Sequence, residues 1–310
     1  MSKKVFDVPV LLITFNRPET TCHVFAQIRK LRPSKLYIFS DAARVEKPEE
    51  KELVDACRSL FDDSQIDWDC QVERWFADSN MGCAMGVSSA ISWAFETNEK
   101  LIILEDDCLP HPTFFSFCKV MLDKYHNNDR VMHVSGTRWN EEFVMGQSDH
   151  FFSLIGHIWG WATWKRAWNK YDFWMEKLPE MKNQRKIQTL FGDSKIARYW
   201  YDRFNEVYVE EKKRTWDYQW QYTLFLNYGL AVVPNVNLVS NIGLVGVHSS
   251  GEKTEDHFCE TWPWQNTGSQ VQLAVNTQYE RHHAKKRFMR KPPMRIRIMN
   301  RVKNMLHLSA

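Results

Sequence analysis

The sequence predicts an α/β protein built on a doubly wound, mostly parallel sheet. Three observations predict it. Short apolar runs alternate with longer amphipathic ones over the first 135 residues. The apolar runs lack polar alternation, as in strands buried on both faces. Each run ends in a cluster of polar residues, as strands do where a parallel sheet meets solvent.

The elements follow in order. Val8 to Thr14 is a continuous apolar run and the first strand, ending in Phe15-Asn16-Arg17-Pro18. A helix follows over Pro18 to Lys30. Lys35 to Phe39 is a second strand ending at Ser40-Asp41, with a helix over Pro48 to Leu60. Gln71 to Ala77 is a third strand, followed by an Asn80-Met81-Gly82 turn and a helix over Gly86 to Thr97. Leu101 to Leu104 is a fourth strand, ending in Glu105-Asp106-Asp107. A helix over Pro112 to Tyr125 and a strand over Val131 to Ser135 complete the first half, 1–135. From 136 the segments become aromatic and irregular. Helices are expected near Trp161 to Lys170, Arg185 to Lys213 and Tyr218 to Tyr228, with short strands at Leu230 to Val233 and Leu238 to Ser240. This second half, 136–280, reads as an elaboration of the same sheet, and Gly246 to Glu255 has the composition of a mobile loop.

Composition narrows the classes. With 310 residues, 44% hydrophobic and 25% charged, the chain can bury a substantial core, so wholesale disorder is excluded. No apolar run approaches the roughly 18 residues that span a bilayer. Met1 to Asp7 is short and polar, unlike a secretory leader, so a cytoplasmic location is expected. The seven cysteines are irregularly spaced without C-x-x-C, which fits a reducing compartment and neither a disulfide framework nor a structural zinc site. Fourteen tryptophans serve either as core or as stacking walls for a flat ligand such as a sugar ring.

Net charge is +3, unevenly spread. Residues 281–310 hold ten Lys or Arg and no Asp or Glu, which leaves 31 basic against 38 acidic groups elsewhere, a net of −7. The tail continues from Arg281-His282-His283 through Pro292-Pro293 into an amphipathic stretch, Met294 to Leu308. Such a segment suits an anionic membrane surface, each cation adding about 1 kcal/mol. The alternatives are a solvated tail or a helix packed on the acidic body. That body disfavours nucleic acid as a partner.

Ligands of open parallel sheets bind at the carboxyl ends of the strands. Here those ends carry Asn16-Arg17, Ser40-Asp41, Asp78-Ser79-Asn80 and Glu105-Asp106-Asp107. Three adjacent carboxylates repel one another unless a cation offsets them. Mg²⁺ and Mn²⁺ take oxygen ligands, often one or two carboxylates plus substrate phosphates. Neighbouring side chains on a strand point to opposite faces, so Asp106 and Asp107 are expected to serve different parts of a ligand. The alternative is a solvated acidic turn.

Leu104-Glu105-Asp106-Asp107-Cys108-Leu109-Pro110, then Pro112-Thr113-Phe114-Phe115, resembles the metal-binding signature of GT-A-fold glycosyltransferases. The similarity is to N-acetylglucosaminyltransferase I and related bacterial nucleotide-diphospho-sugar transferases, in motif order over residues 8 to 255. The resemblance implies a GT-A type, Rossmann-like fold. It makes Asp107 the ligand of Mn²⁺ or Mg²⁺, Asp106 the ribose contact and Glu105 the donor-sugar contact. Thr14, Asn16 and Arg17 resemble the nucleotide loop, Asp41 the residue that bonds the base, and Asn80 another donor contact. An ordinary turn role remains open for Asp41. Val134-Ser135-Gly136 with Trp139-Asn140 is similar to the segment leading to the acceptor. Gly156 to Trp161 is similar to the aromatic wall of the sugar pocket, to which Trp139, Trp161 and Trp216 are assigned. Packing remains open for Trp161, Trp164 and Trp168.

Asp217, in Thr215-Trp216-Asp217-Tyr218-Gln219-Trp220, resembles the catalytic base segment of the inverting enzymes, with Tyr218 where a second carboxylate stands. A helix N-cap is the other reading. His248 lies where such enzymes close a loop over the metal or diphosphate, or is a surface loop residue. The resemblance thus implies a hexosyl or N-acetylhexosaminyl transferase. It would move a sugar with inversion from a nucleotide-diphosphate sugar, a UDP-sugar by preference, to a glycan or glycolipid acceptor. Bacterial surface polysaccharide or lipopolysaccharide synthesis at the inner face of the cytoplasmic membrane would be the setting. The alternatives are a non-catalytic carbohydrate-binding protein and a nucleotidyltransferase on a similar fold. The latter would need a glycine-rich triphosphate loop that Phe15-Asn16-Arg17-Pro18 lacks.

Overall fold

The structure is a computed structural model that describes residues 5–139, 148–210, 213–243, 245–246, 249–250 and 259–288. The first half follows the expected alternation: β1 (Val10–Thr14), α1 (Pro18–Leu31), β2 (Lys35–Ser40), α2 (Glu50–Ser59), β3 (Gln71–Phe76), α3 (Gly82–Phe95), β4 (Lys100–Glu105), β5 (Cys108–Pro110), α4 (Thr113–Lys124) and β6 (Val131–Ser135). The second half adds β7 (His150–Ser153), β8 (Trp161–Trp164), α5 (Lys165–Trp168), α6 (Leu178–Asn183), α7 (Lys186–Phe191), α8 (Ser194–Val209), α9 (Asp217–Leu226), β9 (Leu230–Pro234), β10 (Val239–Asn241) and α10 (Thr277–His283).

Eight strands form one sheet in the order β3-β2-β1-β4-β8-β6-β9-β7. β3, β2, β1 and β4 are parallel, β8 runs antiparallel between β4 and β6, and β7 runs antiparallel to β9. The sheet is thus mostly parallel, with β7 and β8 reversed. Side chains alternate across it as the pleat requires. Val10, Leu12, Ile102 and Leu104 meet α1 and α4 on one face, while Leu11, Ile13, Leu101 and Ile103 meet α3 on the other.

Helix boundaries have local causes. α1 begins on a proline, whose missing N–H costs nothing there, and carries Arg29 and Lys30 in its last turn. α3 starts at Gly82 instead of the expected Gly86, because the Asp41 carboxylate accepts from Met81 N at 2.8 Å and Gly82 N at 3.0 Å. The helix expected over Arg185 to Lys213 is broken between α7 and α8. Gly192 is left-handed there, with φ 64°, and Asp193 caps α8 by accepting from Lys195 N and Ile196 N.

The segment expected as a helix from Trp161 is instead strand β8, with a helix only over α5. Its side chains alternate, Trp161 to the α3 face and Trp164 to the α4 face. β5 and β7 were not expected. β5 pairs with β10, which brings the late chain back onto the acidic segment. Gly136 makes that crossing possible. A Cβ there would sit 2.6 Å from Phe114 and Val239 side chains and closer still to Gly160 O.

α10 spans the expected 280/281 boundary. Tyr279, Glu280, His283 and Ala284 are all buried, so the start of the basic segment packs on the body. Residues 289–310 and the late loop around His248 lie outside the described residues.

Candidate active site

The carboxyl ends of β1, β2 and β4 converge as the topology requires. Arg17, just past β1, reaches the acidic turn after β4. It donates from Nη1 to Asp107 Oδ2 at 2.7 Å and from Nη2 to Asp106 Oδ1. Asp106 Oδ2 also accepts from Phe15 N at 3.2 Å. Asp106 therefore faces the β1 loop and is buried, while the Asp107 side chain retains 14% exposure. Both residues lie in the turn past the end of β4, and one guanidinium spans both carboxylates, so the expected opposition of their side chains is not what the structure shows.

Burial is the largest cause that pushes Asp106 up to about 6, against the pull of Arg17. Burial, then Asp107 and Asp106, pushes Glu105 up to about 8. Glu105 thus remains largely protonated at neutral pH and donates a hydrogen as readily as it accepts one.

β10 covers this turn from the other side. Ile242 N donates to Asp107 O at 2.8 Å, and Gly243 N donates to Asn241 Oδ1 at 2.9 Å. A side chain at 243 would come within 2.5 Å of Asp107 Oδ2 and 2.9 Å of Arg17 Nη1, so only glycine lets the backbone approach the ion pair. Sequence reasoning missed Gly243. Its one signal is the spacing from the strand that returns to the acidic turn.

The other expected donor residues have defined places. Thr14 Oγ1 donates to Phe39 O at 3.1 Å and ties β1 to β2. Asn16 is half-buried in the loop beside Arg17. Asp41 accepts from Ala42 N, Met81 N, Gly82 N and Asn80 Nδ2, so it organises the start of α3 and takes Asn80 with it. Arg58, also missed, lies beneath: its guanidinium bonds Ser40 O, Asp41 O and Ala77 O and locks the ends of β2 and β3.

Cys83, in the first turn of α3, is exposed on the cleft floor, although protein crowds it on all other sides. That crowding first, then Glu105, Asp217 and Asp41, pushes its thiol up to about 12. Asp217, from a segment 112 residues beyond Glu105, is close enough to the acidic end of the sheet to raise both Cys83 and Glu105.

Asp217 is the first residue of α9; Trp216, not Asp217, holds the capping position. Thr215 Oγ1 donates to Asp217 Oδ1. Asp217 opens onto a pocket of about 180 Å³ together with Trp139, His157, Trp159, Trp200 and Tyr218. Trp139 and Trp159 lie 4.7 Å apart between ring centres. Tyr279 of α10 braces this wall, its hydroxyl 3.2 Å from Trp139 O and 3.3 Å from His157 Nε2.

Trp161 and Trp216 do not line this pocket. They are 1% and 2% exposed and stack on each other at 5.5 Å in the core beneath α3, with Trp168 and Trp220 packed around them. Trp159 precedes β8 and reaches the pocket, whereas Trp161, beyond the left-handed Gly160, enters the core beneath α3. Packing, the alternative held open for Trp161, is what the structure shows.

The residues suit a hard divalent cation in a restricted way. Among the described residues no group of three His, Cys, Asp or Glu side chains converges as a cation site. Asp107 offers a partly exposed carboxylate, which matches cations that complete their shell with substrate phosphates and water. Arg17 already spans Asp107, so a cation would share that carboxylate with it.

No protein-family model matches the sequence, and comparison with curated proteins finds no match. Among solved structures, an apo UDP-glucose pyrophosphorylase aligns with 77% of this chain and 94% of its own at 9% identity, TM-score 0.38. A 4-diphosphocytidyl-2C-methyl-D-erythritol synthase from Anaerococcus prevotii aligns with 73% of this chain and 88% of its own at 7% identity, TM-score 0.34. A UDP-glucose pyrophosphorylase complexed with UDP-glucose aligns at 11% identity, TM-score 0.27; the match covers 48% of this chain and spans 63% of that one. The functional reading rests on the side chains of the site.

Proposed function

We propose that the chain is a glycosyltransferase that moves a sugar from a nucleotide-diphosphate sugar to a hydroxyl acceptor. The observation that carries the reading is the acidic turn after β4, held by Arg17, with Asp217 and an aromatic pocket close to it.

Each residue then has a task. Arg17 leaves part of its grip on the carboxylates and takes the diphosphate, a switch between two anionic partners. Asp106 accepts from the ribose. Glu105, protonated, donates to a hydroxyl of the donor sugar. Asp107 would hold Mn²⁺ or Mg²⁺, which would supply charge neutralisation for the leaving diphosphate. Asp217 takes the acceptor's proton as the acceptor oxygen bonds the anomeric carbon. The bond from that carbon to the phosphate oxygen breaks, and its electron pair leaves on the diphosphate. Attack from the side opposite the leaving group inverts the anomeric centre. Trp139 and Trp159 present ring faces to a sugar. The basic segment beyond α10 places this site at an anionic membrane surface, where a glycolipid acceptor would lie. No described helix is long and apolar enough to cross a membrane.

The test is a thermal-shift panel of nucleoside diphosphates and their sugars with and without Mn²⁺. A UDP-sugar with Mn²⁺ should raise the melting temperature. Asp107→Asn should lose the metal-dependent part. Asp217→Asn should keep the shift and lose transfer to a hydroxyl acceptor. If no nucleotide diphosphate binds with either cation, the reading falls. Formation of pyrophosphate from a nucleoside triphosphate and a sugar phosphate would replace it with nucleotidyl transfer.

A further inference from the structure

A second cavity, of about 830 Å³, lies on the α3 side of the sheet. It is more than four times the 180 Å³ of the pocket at Asp217. That volume falls near the top of the roughly 300 to 1,000 Å³ range of small-molecule sites. Its floor is one face of α3, with Ser88, Ser89 and Trp93. One wall is the edge strand β3, with Glu73 and Trp75. The other is the segment after α5, with Tyr171, Phe173 and Trp174.

The walls are aromatic and fixed. Trp75 and Trp93 meet edge to face at 5.8 Å. Tyr171 stacks on Trp168 at 4.3 Å and 9°, and Trp168 Nε1 donates to Ser92 Oγ at 3.0 Å, which ties wall to floor. Trp174 is 52% exposed, a large indole surface that the core does not use.

The chemistry of the lining selects the occupant. A pyranose has an apolar C–H face and a rim of hydroxyls. Ring faces take the first, while the Ser89 hydroxyl and the carboxylates of Glu73 and Glu96 take the second; Ser88 and Ser92 already donate to helix carbonyls. Glu73 and Glu96 disfavour a polyanion. Arg74 in the lining bonds Phe61 O and Asp63, and Lys213, whose ammonium lies 5.7 Å from the Trp174 ring centre, bonds the carbonyls of Val207, Tyr208 and Glu210. The groove wall is tied to the base segment: Tyr171 OH donates to the backbone O of Trp216, the residue before Asp217, at 3.1 Å.

We propose that this groove binds an extended, uncharged glycan chain against its aromatic walls. Its binding there stands on the groove alone; any service as acceptor would rest on the glycosyltransferase reading.

The probes are neutral chito- and cello-oligosaccharides of one, three and six units, with an oligogalacturonate hexamer as the anionic counterpart. Binding is read by tryptophan fluorescence and calorimetry on the full chain. The hexamer of at least one neutral series should bind about tenfold or more above its monosaccharide, as stacking on several rings requires. Trp174→Ala should weaken that hexamer about tenfold, and Ser89→Trp, which fills the floor from a half-buried position of α3, should block it. Neither variant should change the nucleotide-dependent thermal shift, and Asp107→Asn should leave hexamer binding intact. The proposal is overturned if neither neutral series shows length dependence, if both groove variants bind like the parent, or if the anionic hexamer binds best. Hexamer binding without any nucleotide binding would keep the groove and remove the transferase reading.

Discussion

Arg17→Met removes the guanidinium that spans Asp106 and Asp107 while keeping an apolar stem of similar length. Asp106 is 2% exposed and would retain only the Phe15 N–H at 3.2 Å. Removing one partner of a buried ion pair costs about 3 to 5 kcal/mol. The Arg17 side chain is 29% exposed, which places the loss at the lower end, about 3 kcal/mol. At about 2 °C per kcal/mol for a chain of this length, the melting temperature should fall by roughly 6 °C. The loss must also depend on pH. Folded Asp106 titrates at about 6, above the ordinary carboxylate value of about 3.9. Between those values the unfolded chain releases a proton that the folded chain keeps, so stability falls as pH rises. With Arg17 present that fall ends near pH 6. Without Arg17 the folded pKa climbs and the fall continues. Calorimetry in EDTA should therefore show a small gap between parent and variant at pH 5 and the full gap at pH 8. Adding Asp106→Asn should close most of it. An equal gap at both pH values, or a double variant no more stable than Arg17→Met, would refute the reasoning.

Glu105→Gln should stabilise the protein at pH 8 by about 2 kcal/mol in urea unfolding, after allowance for solvent in the cleft. The gain should vanish near pH 4.5, because the folded carboxyl titrates at about 8 and its cost accumulates between those values; a gain that is flat with pH rules this out. Gly136→Ala should cost about 3 kcal/mol or more by driving a Cβ into Gly160 O, Phe114 and Val239, and an unchanged melting temperature would contradict that close approach. A chain ending at Ala284 keeps the buried residues of α10. It should lose low-salt co-sedimentation with phosphatidylglycerol vesicles that the full chain shows; equal sedimentation excludes the basic segment as a membrane contact.

The first half of the fold was legible because its strands are buried on both faces. Val10 to Thr14 and Leu101 to Leu104 have no polar alternation, and the helices between them begin and end on Pro18, Asp41 and Gly82 for local reasons. The second half was less legible because its strands are short and their partners distant. β8 is four residues long, and tryptophans at 161, 164 and 168 mimic helical spacing. Only pairing with Lys100–Ile103 makes it a strand, and that pairing is not written locally. β5 is three residues whose conformation depends on β10, about 130 residues later.

The same distinction governs the site. Arg17, Asp106 and Asp107 were legible because they end strands, and topology alone brings strand ends together. The aromatic wall was legible as a segment but not as individual rings. Trp159 and Trp161 are two residues apart and share a strand-like parity, yet one lines the pocket and the other is sealed under α3. The chain passes Gly160 at φ 58° between them, and that turn sends the two indoles apart. A glycine free to enter the left-handed region thus decides which tryptophan can meet a ligand. It follows that Gly160→Ala should disturb the pocket from a buried position beside it. The new methyl would press on Val239 at 2.7 Å in a backbone conformation it disfavours, and the strain would pass to Trp159 on one side and to the β10 cover of Asp107 on the other.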